Sequence, residues 1–177
     1  MVEREDLSRS ELEALLRWLE EAFDDGPWRP EHWSDVGPGP HAMVHDDDGT
    51  LLAHACVDWI PVEVGGRELR AGYLEDVATR ADARGRGFGT GVVSAAQREI
   101  ERRADVGLLA TGEFGFYERL GWRRWIGPTS VSEVDGPVTP TPDEDGYIMW
   151  LPLARTPAWV AENLPIRRPR RDPDEAW

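Results

Sequence analysis

The chain contains no lysine, although Lys and Arg together number 20 in its 177 residues. The absence excludes a Schiff-base nucleophile and lysine-linked pyridoxal phosphate. It equally excludes the Gly-Lys-Ser/Thr loop that cradles nucleotide triphosphates. A single cysteine, Cys56, leaves no partner for an internal disulfide. It lies in the apolar run 51–57 and reads as a small buried hydrophobe. No apolar run is long enough to span a membrane, and the acidic N-terminal stretch lacks the features of a secretory signal. Together these predict a cytoplasmic protein with no membrane partner. A net charge of −14 denies a nucleic-acid partner its basic footprint. Such a field draws in cationic molecules, and it equally serves solubility. The histidines His32, His41, His45 and His54 do not cluster with cysteine or acid at zinc spacing. They read as structural or surface groups, and no metal site is expected.

What remains is enough for one well-cored domain. Ser8-Arg9-Ser10-Glu11 matches a capping box, and Leu12, Leu15, Leu16, Leu19 and Phe23 follow at helical spacing. Residues 24–40 form a loop rich in Pro, Gly and Trp. Residues 41–45, the turn Asp46-Asp47-Asp48-Gly49 and residues 51–64 read as a hairpin. Gly65-Gly66 turns the chain into a further strand containing Glu75, followed by a helix opening near Gly89. Residues 106–110 predict a strand and 114–120 a short helix that Gly121 ends in the left-handed conformation. Strands are expected at 122–126, 130–134 and 147–153, with a proline- and acid-rich loop at 136–146. The chain beyond Leu153 reads as irregular. This order predicts a mixed α/β (α+β) fold, one twisted mixed sheet flanked by helices. The expected division is a domain over 1–155 and a C-terminal tail over 156–177.

Arg84-Gly85-Arg86-Gly87-Phe88-Gly89 stands between the Glu75 strand and the helix that follows. A glycine-rich turn opening a helix is an anion site, because the first helical N–H groups have no internal partner. Glycines permit close backbone approach to a diphosphate, and Arg84 and Arg86 add positive charge. A dinucleotide fingerprint needs a glycine in the sixth place, where Thr90 or Val92 falls. Arg-x-x-Gly-x-Gly instead resembles the acyl-CoA pyrophosphate loop of the GNAT N-acetyltransferase superfamily. Further runs sharpen the likeness: Gly72-Tyr73-Leu74-Glu75-Asp76-Val77-Ala78, Phe116-Tyr117-Glu118-Arg119-Leu120-Gly121-Trp122, Gly127-Pro128-Thr129-Ser130-Val131 and Pro142-Asp143-Glu144-Asp145-Gly146. Over residues 22–153 the chain resembles the aminoglycoside 2′-N-acetyltransferases, which acetylate an amine on an antibiotic sugar.

That resemblance implies acetyl-CoA as donor, with no metal, and direct attack by the amine in a ternary complex. The substrate amine must lose a proton, and Glu75 is the matching base, acting through ordered water. Strand alternation places it on one face with Tyr73 and Val77, with Asp76 opposite. Tyr117 matches the acid that protonates the departing thiolate, and a phenol stays protonated near neutral pH. The Val77 N–H matches the oxyanion donor beside a strand bulge, a feature the sequence does not display. Val77, Ala78 and Thr79 would line the pantetheine arm, and Arg84, Gly85, Arg86, Gly87, Phe88, Gly89 and Thr90 the diphosphate. Against these readings, Glu75 can be a solvent-facing strand acid and Tyr117 a packing aromatic.

For the acceptor, a small cationic amine, the resemblance implies acids at Asp25, Glu144 and Glu175, and a contact from Trp177 through its own carboxylate. Asp24 lies beside Asp25, and an ordinary solvated loop or tail accounts for such acids equally well. Three departures accompany the match. Only Met1-Val2 stands where the family's first strand belongs, so that strand is expected to be truncated. His32 occupies a family acid position. Arg167, Arg168, Arg170 and Arg171 put positive charge where a polycation should bind, unless they fold away or meet CoA phosphates. Two rivals stay open: acetylation of another amine (a polyamine, amino sugar or peptide) and a non-catalytic acyl-CoA-binding regulatory module. The resemblance also implies a homodimer, although the nine tryptophans could all serve the core.

Overall fold

The capping box forms as the spacing predicts and starts α1 (Arg9–Phe23). The Ser8 N–H donates to the Glu11 carboxylate at 2.8 Å, and the Glu11 N–H donates back to the Ser8 hydroxyl at 3.3 Å. The side-chain bond from Ser8 holds the Glu11 carboxyl below its ordinary pKa. Leu15, Leu16 and Leu19 are buried, whereas Phe23, the last helical residue, is 43% exposed and leaves the apolar stripe.

The computed structural model describes residues 1–23, 38–133, 136–170 and 177. Two compact units account for the chain: Met1–Asp58 with Leu74–Glu99, and Trp59–Tyr73 with Ile100–Trp177. In the first, β1 (His41–His45) pairs antiparallel with the first half of β2 (Leu51–Val64), His41 opposite Cys56 and Val44 opposite Ala53. The turn between them is built on Asp46, whose carboxylate accepts the Asp48 and Thr50 N–H groups at 3.1 and 2.8 Å. The expected first strand is reduced to one antiparallel bridge, Val2 with His41. The α1 leucines pack on Ala78 near the end of β3 (Arg67–Thr79). The glycine-rich loop then leads into α2 (Phe88–Arg103).

In the second unit the strands run in the order β5-β8-β4-β3-β2-β9-β6-β7 among the described residues. The elements not yet placed are β4 (Val106–Ala110), α3 (Phe114–Glu118), β5 (Arg123–Arg124), β6 (Thr129–Ser132), β7 (Val138–Pro140), β8 (Ile148–Pro152) and β9 (Ile166–Pro169). Gly65 and Gly66, both at positive φ (55° and 80°), form the two-residue turn from β2 into β3. Pairing is mixed: β3 with β4 and β6 with β9 are parallel, whereas β4 with β8 and β2 with β9 are antiparallel. Gly72 and Gly107 face each other across the parallel β3–β4 pair. A Cβ on Gly72 would lie 2.7 Å from Ile100, and one on Gly107 would lie 2.9 Å from Leu151. Their bareness lets Ile100, Trp59 and Trp122 approach the sheet. Trp125 and Trp150 meet edge to face, their ring centroids 5.7 Å apart, in a core with Leu108, Ile148 and Ile166.

The tail and the acidic loop differ from the sequence expectation. Residues 166–169 form β9 rather than irregular chain, and β7 with a 3-10 turn (Pro142–Glu144) occupies the expected loop. Three charged or imino residues in four hide β9 from any apolar periodicity, and its ladder bonds to β2 and β6 define it instead. Gly121 has φ of 92°, as its helix-ending position requires. The seven described tryptophans are all buried or half-buried.

Gly127 marks a second close approach. A Cβ there would sit 1.9 Å from the Leu164 carbonyl oxygen, which also accepts the Trp125 indole N–H at 3.0 Å. Gly127→Ala is therefore expected to cost about 1–3 kcal/mol or more, because backbone must move. Gly91→Ala, in α2 with nothing within 4 Å, should instead stabilise by about 0.5–1 kcal/mol. Urea midpoints of the two variants against the parent check both signs.

Candidate active site

Within the first unit, β3 breaks its own alternation at Asp76, the only non-glycine residue with positive φ (52°) among those described. The left-handed region costs an ordinary L-residue about 1–2 kcal/mol, and Asp tolerates it better than most. Glu75, Asp76 and Val77 are all half-buried, with no two-residue alternation across them. Alternation therefore does not carry from Glu75 to Val77, and the shared face expected for them does not follow from spacing. The left-handed residue lies one position before Val77, in the stretch where the family likeness implies an irregularity.

The break is held from β2. His54 is fully buried, and its Nδ1 lies 2.8 Å from the Asp76 carbonyl oxygen. Its Nε2 lies 2.9 Å from Nδ1 of buried His41. Cys56, two residues along the same strand, points its thiol at the Asp76 carboxylate at 3.4 Å. The Cys56 expectation of burial holds, with no exposed surface. Burial pushes the His54 pKa down to about 3, so the ring is neutral in ordinary conditions. The histidines' part in the break was missed in the sequence. Its signal was a polar residue inside the buried run 51–57, which requires a partner.

Beyond Thr79 the chain turns through Ala81–Ala83 into the glycine-rich loop. The Arg84 Nε–H donates to the Thr79 carbonyl at 3.2 Å, closing the loop's base. Gly85 and Gly87 have φ of 74° and 86°, and a Cβ on either would meet nothing within 4 Å. Arg84, Gly85, Arg86 and Gly87 are exposed, and the Arg86 guanidinium lies over the Phe88 ring at 4.9 Å. The first intrahelical bond of α2 runs from the Gly91 N–H to the Gly87 carbonyl, so the Phe88, Gly89 and Thr90 N–H groups precede it. Open glycine backbone, exposed arginines and a 16-residue helix beginning there suit a diphosphate. Glu75, Val77, Ala78, Thr79 and residues 84–90 thus belong to one unit.

Tyr117, Glu144 and Trp177 belong to the other. Tyr117 lies on α3, 7% exposed, with its ring edge-on to Phe116 (4.9 Å) and Trp122 (6.2 Å). Its backbone carbonyl accepts the Leu120 and Trp122 N–H groups, which closes the turn at Gly121. Burial, helped by the charge of Glu113, raises the phenol to about 12. It is a persistent donor, and a weaker acid than an ordinary phenol.

Glu144 ends the 3-10 turn and is half-buried. A clasp joins the two motifs that sharpened the family likeness. The Thr129 N–H donates to the Asp145 carboxylate at 2.8 Å, and the Thr129 and Thr141 hydroxyls meet at 2.7 Å. The loop carrying Glu144 is thereby tied to β6. The arginine-rich tail is folded in: Arg167 pairs with Glu63, and Arg170 with Glu133 at 2.7 Å. Arg168 is 1% exposed, with its guanidinium over the rings of Tyr73 (5.2 Å) and Trp177 (5.9 Å). Trp177 is itself buried. Asp24, Asp25, His32, Arg171 and Glu175 lie outside the described residues. Among those described, no group of three or more His, Cys, Asp or Glu could hold a metal ion, and no helix is long and apolar enough to cross a membrane.

The shifts of His54 and Tyr117 make stability depend on pH. A depressed His54 pKa means the unfolded chain takes up a proton first, so stability is full above about 6.5 and falls as pH drops toward 3. The raised Tyr117 pKa means the unfolded chain ionises first, so stability falls as pH rises from about 10 toward 12. Denaturation free energies across pH should show a shallower acid limb for His54→Asn and a shallower alkaline limb for Tyr117→Phe. Slopes equal to the parent's would refute the assignment.

Residues 4–125 match the acetyltransferase (GNAT) domain model. An aminoglycoside 2′-N-acetyltransferase of Mycolicibacterium fortuitum is 35% identical over 155 residues, which cover 86% of this chain and 78% of that protein. The fold is similar to that of the GNAT family N-acetyltransferase YhbS of Escherichia coli, solved in complex with CoA: TM-score 0.62, 12% identity, 92% of this chain and 86% of that one. A GCN5-related N-acetyltransferase of Kribbella flavida gives a TM-score of 0.56 at 20% identity, matching 70% of this chain and 33% of that longer one. The family model and the 35% identical relative agree: the chain belongs to the GNAT acetyltransferase family.

Proposed function

We propose that this acetyltransferase moves the acetyl group of acetyl-CoA onto the 2′-amine of an aminoglycoside by direct attack in a ternary complex. The observation that carries this reading is the 35% identity to an aminoglycoside 2′-N-acetyltransferase across 86% of the chain. The diphosphate of the donor lies on Arg84–Thr90, and its pantetheine arm runs along Val77, Ala78 and Thr79. Glu75 removes the amine proton through water. Nitrogen then attacks the thioester carbonyl, and the Val77 N–H stabilises the oxyanion that forms. As the C–S bond breaks, Tyr117 donates its proton to the thiolate; solvent restores it.

A pKa near 12 makes Tyr117 lose that proton reluctantly, so the transfer gains its drive as charge develops on sulfur. Glu144, Asp25, Glu175 and Trp177 supply the acceptor side, with the tail over 156–177 completing the pocket. Engagement of Arg167 and Arg170 by acids lessens the repulsion expected against a polycation. A cytoplasmic location and a homodimer belong to the same reading.

Thiol release from acetyl-CoA should follow addition of aminoglycosides bearing a 2′-amine, and not of analogues with a 2′-hydroxyl. Glu75→Gln and Tyr117→Phe should each lower kcat about 10²-fold or more, within the usual range for a general base or acid. Turnover of both substrate groups would place the acetyl elsewhere. Turnover of neither, alongside acetyl-CoA binding, would favour another amine.

A further inference from the structure

We propose that His54, fixed in one tautomer by His41, is a positioning residue for acetyl transfer: it clamps the Asp76 carbonyl and so holds the β3 break that presents the Val77 N–H. The proposal rests on the acyl-transfer reading above, and it adds two residues outside the groups that touch substrate. The hydrogen-bond logic allows one arrangement. The Asp76 carbonyl oxygen can only accept, so Nδ1 of His54 carries a proton and donates across 2.8 Å. The ring is neutral in its buried site, which leaves its Nε2 as an acceptor. The neighbouring nitrogen, Nδ1 of His41 at 2.9 Å, must then be the donor. Two rings in series therefore point one proton each toward residue 76.

Three strands take part. His41 stands on β1 opposite Cys56 of β2, and His54 stands two residues before Cys56 on that strand. β2 thus reaches Asp76 twice, through the imidazole on its carbonyl and the Cys56 thiol on its carboxylate. A left-handed non-glycine residue persists only when its surroundings over-determine it. Here the surroundings are a buried donor chain with no exposed surface on either histidine. Because Val77 follows the break directly, an angular change at Asp76 swings the Val77 N–H. Misplacement of a catalytic donor by about 1 Å can cost on the order of 10²-fold in rate.

The test begins with the unaltered protein, labelled with nitrogen-15 histidine. His54 should show a protonated Nδ1 and a bare Nε2, without titrating near the ordinary histidine pKa. An Nε2–H tautomer, or a ring that titrates normally, would overturn the clamp whether or not any variant folds. The second arm follows kcat and KM for acetyl-CoA with a 2′-amino aminoglycoside. His54→Leu should lower kcat at least about tenfold with KM within about twofold. His54→Asn keeps a donor at the Nδ1 position and should stay within about threefold of the parent. Asp76→Gly placed in the His54→Leu background should recover part of kcat, because glycine adopts the left-handed angle without support. A merely structural histidine would give equal losses for Leu and Asn and no recovery.

Should no aminoglycoside turn over, the 2′-amine reading fails separately, and the clamp is read from the Val77 amide proton shift on adding acetyl-CoA. That shift should appear in the parent and in His54→Asn and be lost in His54→Leu. No shift in the parent would overturn the proposal.

Discussion

A single backbone angle, the φ of 52° at Asp76, is the constraint on which the proposed acyl-transfer geometry depends. A regular strand would use both sides of every peptide in the ladder and leave none to meet a reacting carbonyl. Turning one residue left-handed re-aims the peptides on either side, at a cost the strand alone does not offset. The chain meets that cost with Asp at the turned position and a buried imidazole on its carbonyl. The charge-neutral state of His54 matters as much as its geometry. A charged ring in that position would lack solvation, and burial has driven its pKa to about 3 instead.

Charge is distributed with similar economy. Arg84 and Arg86 stand exposed on the glycine-rich loop, where a diphosphate would need them. The described tail arginines are occupied elsewhere: Arg167 and Arg170 by carboxylates, and Arg168 by the faces of Tyr73 and Trp177. The remaining surplus is acidic, −14 overall, and its long-range field favours a cationic acceptor. Of the described histidines, the two with full burial, His41 and His54, reach the backbone at Asp76.

Local rules made much of the fold legible. The Ser8–Glu11 box, the Asp46 turn and the paired glycines at 65 and 66 each encode their geometry within a few residues. The glycine-rich loop was readable for the same reason, since its glycines and arginines are contiguous. Features that depend on distant partners were not. The β9 strand gains its identity from β2 and β6, with Arg168 occupying a place where a periodic sequence would put an aliphatic side chain. Gly127 looked like part of a motif, but its reason is the Leu164 carbonyl 37 positions later (164 − 127). The left-handed angle at Asp76 was not legible in the sequence, because its support comes from His54 on another strand. Asp25 and Glu175, read as acceptor acids, fall outside the described residues.

The most direct measurement is the infrared carbonyl stretch of acetyl-CoA bound to the protein, isolated by isotopic labelling of the thioester carbon. A Val77 N–H aimed at the thioester oxygen weakens the C=O bond, so the band should move to lower frequency on binding. His54→Leu should return it toward the position in free acetyl-CoA. A bound carbonyl at the free frequency in the parent would contradict the account, for the break in β3 would then hold no donor on the reacting oxygen.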